Sequence, residues 1–310
     1  MKSRAPEKLE LYHYLAPKYW LMWIFIGLTR LLAFLPLSIS HALGSMLGLM
    51  LFYLLPSRKK IAQINIALAF PELNKAQQAR RVKQVFSHMG MTIMETPLVW
   101  WGSVNRLEKI PVDFEGLEHF EQARVNGRGV IMMGGHTFAM ELGGRFMANR
   151  YPGQLNVTYQ KMRNSLMDVM VYRSRLQVFK SVLERMDMRN MLRCLKSGEP
   201  LWYAPDQDFG PHRSVFAPFF GVPTATLTAT SRLAKSTGAV VLPLFFFRQP
   251  NGRYLIRFLA PLENFPSGDD TADAVQINQA IESQVKQYPE QYVWVHRRFK
   301  TRPSGKASVY

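Results

Sequence analysis

The sequence has a single cysteine, Cys194, in 310 residues, and it is short of acids, with 22 Asp and Glu against 39 Lys and Arg. One thiol excludes an internal disulfide and any zinc site built from several cysteines, and it fits a reducing compartment. The seven histidines (His13, His41, His88, His119, His136, His212, His296) are scattered, with no pair at the spacing that places zinc on a metalloprotease helix. There is no phosphate-binding P-loop, no G-x-G-x-x-G and no G-x-S-x-G. A nucleotide triphosphatase, a dinucleotide enzyme and a serine hydrolase of the usual pattern therefore lose support. No internal repeat or low-complexity tract is present. Hydrophobic residues at 47% and charged residues at 20% lie near globular averages and argue against wholesale disorder. The shortage of acids leaves a net charge of +17. That charge points to an anionic partner: nucleic acid, an acidic membrane surface, a phosphorylated substrate or an acidic carrier.

What is present begins with apolar sequence behind a basic segment, 2–8. One stretch, 19–35, is interrupted only by Gly27, Thr29 and Arg30 and ends at Pro36. A second, 42–55, stops at Pro56 and is followed by Arg58, Lys59 and Lys60. Spanning hydrocarbon takes about 20 apolar residues as helix. The first stretch is near that length, and its Arg30 is close enough to the end to snorkel. The second is shorter and suits an interfacial helix. The expectation is a membrane anchor plus interfacial helices over 1–60, whose basic flanks meet anionic headgroups, followed by a separate domain over 61–310. A pair of ordinary core helices and a cleaved signal peptide are the competing readings.

Further on, Asn74 reads as a helix N-cap with Gln77 completing a capping box. Val82, Val85, Phe86, Met89 and Ile93 mark one face of a long helix ending near Pro97. From residue 112 the pattern alternates. Strands are expected over 112–115, 129–133, 155–160, 201–204, 239–247 and 254–259. Helices are expected over 117–125, 138–149, 164–179, 188–195, 226–236 and 272–287. Asn251-Gly252 between the last two strands is a strong hairpin signal. The pattern predicts an α/β fold with a mixed, largely buried sheet flanked by helices.

Three constellations carry possible chemistry. Gly134-Gly135-His136 follows an apolar strand, so His136 falls at a strand's carboxyl end, where open α/β sheets place ligand sites. Glu141 falls in the first turns of the next helix. A carboxylate bonded to one imidazole nitrogen would fix the tautomer and support the charge gained when the ring takes a proton. On spacing alone, a buried or capping histidine beside an unrelated surface glutamate fits equally. Pro205-Asp206-Gln207-Asp208-Phe209-Gly210 also follows a strand, with Ser214, Phe216, Phe219 and Phe220 downstream. Its acids read as turn chemistry or as groups ordering basic residues around a phosphate, and its phenylalanines read as core or as the wall of an acyl slot. Arg173 and Arg175, with Lys161, Arg163, Arg185 and Arg189 around them, read as a solvated helix face or as a phosphate fork.

Together, His136-x4-Glu141, the 205–210 turn and the closing run Gln291-Tyr292-Val293-Trp294-Val295-His296-Arg297-Arg298-Phe299-Lys300-Thr301-Arg302-Pro303 resemble the late acyltransferases of lipid A biosynthesis. These are the lauroyl- and myristoyl-type enzymes, related to the wider glycerolipid acyltransferases. Ala69-Phe70-Pro71-Glu72 also resembles that family, and the closing run looks more like the lauroyl-type branch. The resemblance implies an inner-membrane enzyme facing the cytoplasm and needing no cofactor. Such an enzyme transfers an acyl chain from acyl carrier protein to the hydroxyl of a 3-hydroxyacyl chain on a Kdo-bearing lipid A precursor. By motif match, His136 is the general base and Glu141 its orienting partner, where some relatives carry Asp. Arg173 matches a basic position after the second motif, and Asp206 and Asp208 match the acidic turn. Arg175, Gly210 and Ser214 complete the expected substrate-binding set. The partners so implied are the carrier protein, the glycolipid and anionic inner-membrane lipids, all suited to a +17 chain, while nucleic acid is set aside for want of a recognition motif. The alternatives are acylation of a lysophospholipid and a non-catalytic protein that binds anionic lipid.

Overall fold

The computed structural model describes residues 10–310, and the basic segment 2–8 lies outside them. The two apolar stretches become α1 (Trp20–Leu32) and α2 (Leu37–Leu54), separated by Pro36, and Pro56 opens α3 (Pro56–Ala69). Their lengths differ from expectation. Helix α1 has 13 residues, about 20 Å of rise, too little to cross hydrocarbon. Helix α2 has the length and mean hydropathy (1.6) of a membrane-crossing helix, and only 22% of it is buried. The sequence reading overestimated the first helix because Ala33, Phe34 and Leu35 are apolar, yet they form the turn before Pro36. Both helices expose large apolar side chains, among them Leu21, Ile24, Leu31, Met46 and Tyr53.

Asn74 caps α4 (Lys75–Trp101) with the expected reciprocal box, Asn74 accepting from the Gln77 amide at 2.9 Å and Gln77 from the Asn74 amide at 2.9 Å. The helix passes through Pro97 and ends at Gly102, because Leu98 and Val99 of the last turn are buried and outweigh the one lost amide. Helices α2 and α4 pack at backbone contact. A Cβ built on Gly90 would stand 2.0 Å from the Gly44 carbonyl, and one on Gly48 2.1 Å from that of Phe86. The expected boundary at residue 60 falls inside α3, whose Asn65 amide donates to the carbonyls of Trp294 at 2.6 Å and His296 at 2.7 Å.

After α5 (Val104–Leu107), strands and helices alternate: β1 (Val112–Glu115), α6 (Leu117–Val125), β2 (Val130–Met133), α7 (Met140–Arg150), β3 (Asn156–Tyr159), α8 (Ser165–Leu176), β4 (Ser181–Glu184), α9 (Met188–Lys196) and β5 (Pro200–Tyr203). Then come β6 (Ser214–Phe219), β7 (Val222–Leu227), α10 (Ala229–Thr237), β8 (Val240–Arg248), β9 (Tyr254–Phe258) and α11 (Asp270–Val285). Seven strands form one mixed sheet, β1-β9-β8-β2-β5-β3-β4, parallel except where β9 returns antiparallel on β8 through the Asn251-Gly252 turn. The expected α/β class with helix-flanked sheet is therefore present. Two elements escaped the pattern. Strand β4 lies between two expected helices, where the pattern predicts no element. The separate β6–β7 ribbon was missed because Pro218 and Pro223 interrupt it; they sit opposite each other, where neither needs to donate. Residues 226 and 227, expected at a helix start, close β7.

Residues of β2 alternate between two cores. Ile131 and Met133 join the cluster under α3, α4 and α11, while Val130 and Met132 join the one under α6 and α7. The α2–α4 contact yields a test. Gly90→Val forces backbone apart and should destabilise the fold by about 1–3 kcal/mol. Gly27→Ala, where a Cβ meets nothing within 4 Å, should leave the midpoint of denaturant unfolding in detergent unchanged or slightly raised. Equal midpoints for Gly90→Val and the parent chain would refute the close-packing account.

Candidate active site

Strand register builds the site. Strands β2 and β5 are parallel neighbours with Met133 opposite Tyr203. His136 follows Met133 by three residues and Asp206 follows Tyr203 by three, so the two loops leave the sheet side by side at its carboxyl edge. Strand β2 is also where chain order reverses, with β8 on one flank and β5 on the other, the crevice position favoured for ligands in open α/β sheets. Gly134 turns the chain there because any Cβ would stand 2.5 Å from the Leu244 carbonyl.

Asp206 is buried and grips His136 twice. One oxygen accepts from the His136 amide at 2.7 Å, and the other pairs with ring Nδ1 at 2.5 Å. An ionised carboxylate only accepts, so Nδ1 carries the proton and Nε2 is left as the basic nitrogen. Burial alone would lower the His136 pKa. The charge and hydrogen bond of Asp206, helped by Glu141 and opposed by Arg175, outweigh burial and raise the pKa above its ordinary 6.5. Burial pushes Asp206 the other way, but His136 draws it down to about 2.

The carboxylate hydrogen-bonded to His136 is thus Asp206, and this corrects the expectation that Glu141 takes that place. Glu141, in the first turn of α7, instead pairs with Arg175 from α8. It still lines the same cavity as His136 and acts on the ring through space. Sequence spacing favoured Glu141 because it is five residues away; the true partner is 70 residues on and is found only through strand register.

His136 opens on a cavity of about 1180 Å³. Its walls carry apolar side chains from several elements, including Phe25 of α1, Ile93 and Val99 of α4, Met140 of α7 and Val171 of α8. Trp202 stands edge-on to the His136 ring, with centroids 6.4 Å apart. Four arginines (Arg175, Arg185, Arg213, Arg232) reach the cavity against one carboxylate, Glu141, so its polar surface is cationic. A smaller recess of about 50 Å³, floored by Val157, Phe179, Leu244 and Phe246, shares Glu141, Arg175 and Trp202 with the large one.

The remaining expected residues are placed less centrally. Arg173 is exposed on α8 and is not among the cavity's lining residues. Asp208 faces away and ties down the chain's end, accepting from the Thr301 amide at 2.6 Å, the Thr301 hydroxyl at 2.7 Å and the Gly210 amide at 2.9 Å. Gly210 has φ 88°, a conformation that explains the glycine. Ser214 begins β6 and lies outside the lining, next to His212 and Arg213, which are within it. Phe219 is fully buried and Phe220 packs on Phe70 and Trp294. Phe216 is exposed, and none of the three lines the cavity. Arg185, Arg213 and Arg232 were missed as a group because they come from three separate segments that converge only in the fold. Among the described residues, no group of three or more His, Cys, Asp or Glu is arranged to hold a metal ion.

A histidine backed by a buried carboxylate, opening on a roomy apolar and cationic cavity, defines the class: an α/β protein whose site suits ligands that are part lipid and part anion. The family model for bacterial lipid A biosynthesis acyltransferases matches residues 8–301. The chain is 38% identical to a lipid A biosynthesis lauroyltransferase of Escherichia coli (strain K12) over 96% of each chain. It is 36% identical to that organism's lipid A biosynthesis palmitoleoyltransferase, also over 96% of each. Identity to its lipid A biosynthesis myristoyltransferase is 30%, over 95% of this chain and 91% of the relative. The chain belongs to the bacterial lipid A biosynthesis acyltransferases and is a transferase.

The site sets a pH test. A raised His136 pKa means that the ring is protonated, and unable to accept a proton, below a pH higher than that of an ordinary imidazole. Transfer should therefore rise with pH through that point. Asp206→Asn removes the charge that stabilises imidazolium, so the acid limb of kcat/KM should move to lower pH while the plateau falls by about 10²-fold or more. An unmoved limb with a full plateau would exclude Asp206 from the role.

Proposed function

We propose that this protein transfers an acyl chain from acyl carrier protein to the hydroxyl of a 3-hydroxyacyl chain on a Kdo-bearing lipid A precursor, with His136 as general base. The observation that carries this reading is the Asp206-held imidazole facing the cavity. In the proposed reaction, Nε2 takes the proton as the acceptor hydroxyl attacks the thioester carbonyl. The carbon–sulfur bond then breaks, and the imidazolium returns that proton to the departing carrier thiolate. No covalent enzyme intermediate is needed. The chain's task is to align two substrates and to support the charge on the ring.

The other residues take roles consistent with their places. Apolar walls receive acyl chains. Arg185, Arg213 and Arg232 offer cations to acceptor phosphates or carboxylates. Arg175 and Glu141 together set the charge beside His136, whereas Asp208 and Gly210 shape the loop that carries Asp206. Phe25 and Thr29 of α1 line the cavity, so it extends to the amino-terminal helices, which expose large apolar side chains. This favours an inner-membrane site in which α2 anchors the chain, α1 lies at the interface and the cavity faces the cytoplasm, where acyl carrier protein would deliver its chain.

With acyl carrier protein donor and purified acceptor, His136→Ala should lower transfer by about 10²-fold or more while the fold persists. Undiminished turnover would overturn the base assignment. Offering a lysophospholipid beside the glycolipid should give product on the glycolipid alone, and mass spectrometry of lipid A from cells with and without the protein should show one added chain.

A further inference from the structure

Behind the cavity lies a buried charge cluster that the proposed chemistry does not use. Glu95 of α4 is 2% exposed, and Arg248, the last residue of β8, is 5% exposed. Arg248 Nε meets one Glu95 oxygen at 2.5 Å and Nη2 meets the other at 2.6 Å, a two-pronged ion pair. Tyr254 donates its hydroxyl to Glu95, and His41 of α2 pairs with the same oxygen at 2.8 Å. Burial, with Arg248 alongside, drives the pKa of neighbouring His88 down to about 3, so this ring stays neutral and adds no competing cation.

The cluster ends on the backbone beside His136. Arg248 Nη2 donates to the Phe138 carbonyl at 2.8 Å, and the Thr92 hydroxyl donates to the same carbonyl at 2.6 Å. Gln291 closes the frame. Its side chain accepts from the Arg248 amide and donates to the Arg248 carbonyl, both at 2.8 Å, and its own carbonyl accepts from the Phe138 amide at 2.8 Å. The Thr137 hydroxyl reaches the Phe246 carbonyl at 2.8 Å, and the His136 carbonyl accepts from the Val293 amide at 3.0 Å. A buried ion pair is a poor source of net stability, since apolar residues of like volume often do as well. What a guanidinium adds is direction. Its rigid donors can hold Glu95 with two bonds and still reach a carbonyl at a set angle.

We propose that Glu95 and Arg248 are positioning residues. Their ion pair fixes the Phe138 peptide, and through it the placement of His136 against Asp206 and the cavity. His41 extends the frame to α2, so the seating of that helix on α4 also bears on the site. The inference rests on the reading of His136 as the base.

The test is the double variant Glu95→Gln with Arg248→Met, which removes both charges and leaves neither stranded. It should unfold near the wild-type midpoint. Its kcat should fall by about 10- to 100-fold, as displacement of a reacting group does, with the acceptor KM within about twofold. A folded double variant with wild-type kcat would overturn the inference. So would an equal loss through KM alone, which would place the cluster in binding. Should the double variant not fold, Thr92→Val removes one donor from the Phe138 carbonyl and one acceptor from Arg248 Nη2, and leaves both Glu95–Arg248 bonds in place. It should lower kcat severalfold at constant KM, and a wild-type kcat there refutes the positioning role. His136→Ala run in parallel separates the two readings. Full transfer in that variant removes the base and the inference together, whereas loss there beside a folded, fully active double variant removes the inference alone.

Discussion

The structure depends on the register between β2 and β5. With Met133 opposite Tyr203, two loops of different sequence leave the sheet in step, and a histidine and an aspartate 70 residues apart come to share a proton-bearing contact. A shift of one residue would turn β2's side chains to the opposite faces of the sheet, exchanging the sets that feed the two cores, and would separate the pair at once. Fold stability and the site are therefore tied to the same constraint. Val130, Ile131, Met132 and Met133 are all buried, and the loop that follows inherits its position from their pairing with β5.

Around that constraint the chain distributes charge unevenly. Two deep carboxylates are held by basic partners, Asp206 by His136 and Glu95 by Arg248. Arg298, also buried, spends its donors on neutral groups, giving one to the Ala225 carbonyl at 2.8 Å and another towards Thr226. Surplus positive charge also lies at the cavity, where an anionic ligand can meet it. Burying an unpaired charge costs several kcal/mol, and at Arg298 hydrogen bonds to neutral groups offset part of that cost.

Much of this was legible in the sequence, and the misses have a common cause. His136 at a strand's carboxyl end, the capped α4, the Asn251-Gly252 return and the α/β alternation all follow from local pattern, because strand period, cap chemistry and turn chemistry are local. The partner of His136 was not legible. Glu141 lay at a plausible spacing, and nothing local marks Asp206 over Asp208. Their contrary fates, one holding His136 and the other the Thr301 turn, depend on which face of the 205–210 loop meets the sheet edge. The balance between α1 and α2 was misjudged for a different reason. Composition measures apolar content, whereas Pro36 and the residues before it decide where a helix stops.

The glycines of the amino-terminal helices bear on how membrane and site communicate. Gly44, Gly48 and Gly90 let α2 lie on α4 at backbone distance, and the Ser45 and Ser87 hydroxyls meet across that seam at 2.8 Å. Helix α4 carries Ile93, Thr96 and Val99 to the cavity on one side and Glu95 to the buried cluster on the other. One rigid helix thus touches the apolar amino-terminal surface, the cavity wall and the frame of the His136 loop. Small residues allow close packing between helices in lipid, where no hydrophobic force draws them together. The α2–α4 seam can therefore hold in either medium, and through α4 it is continuous with the cavity wall and with the hydrogen bonds on the Phe138 carbonyl.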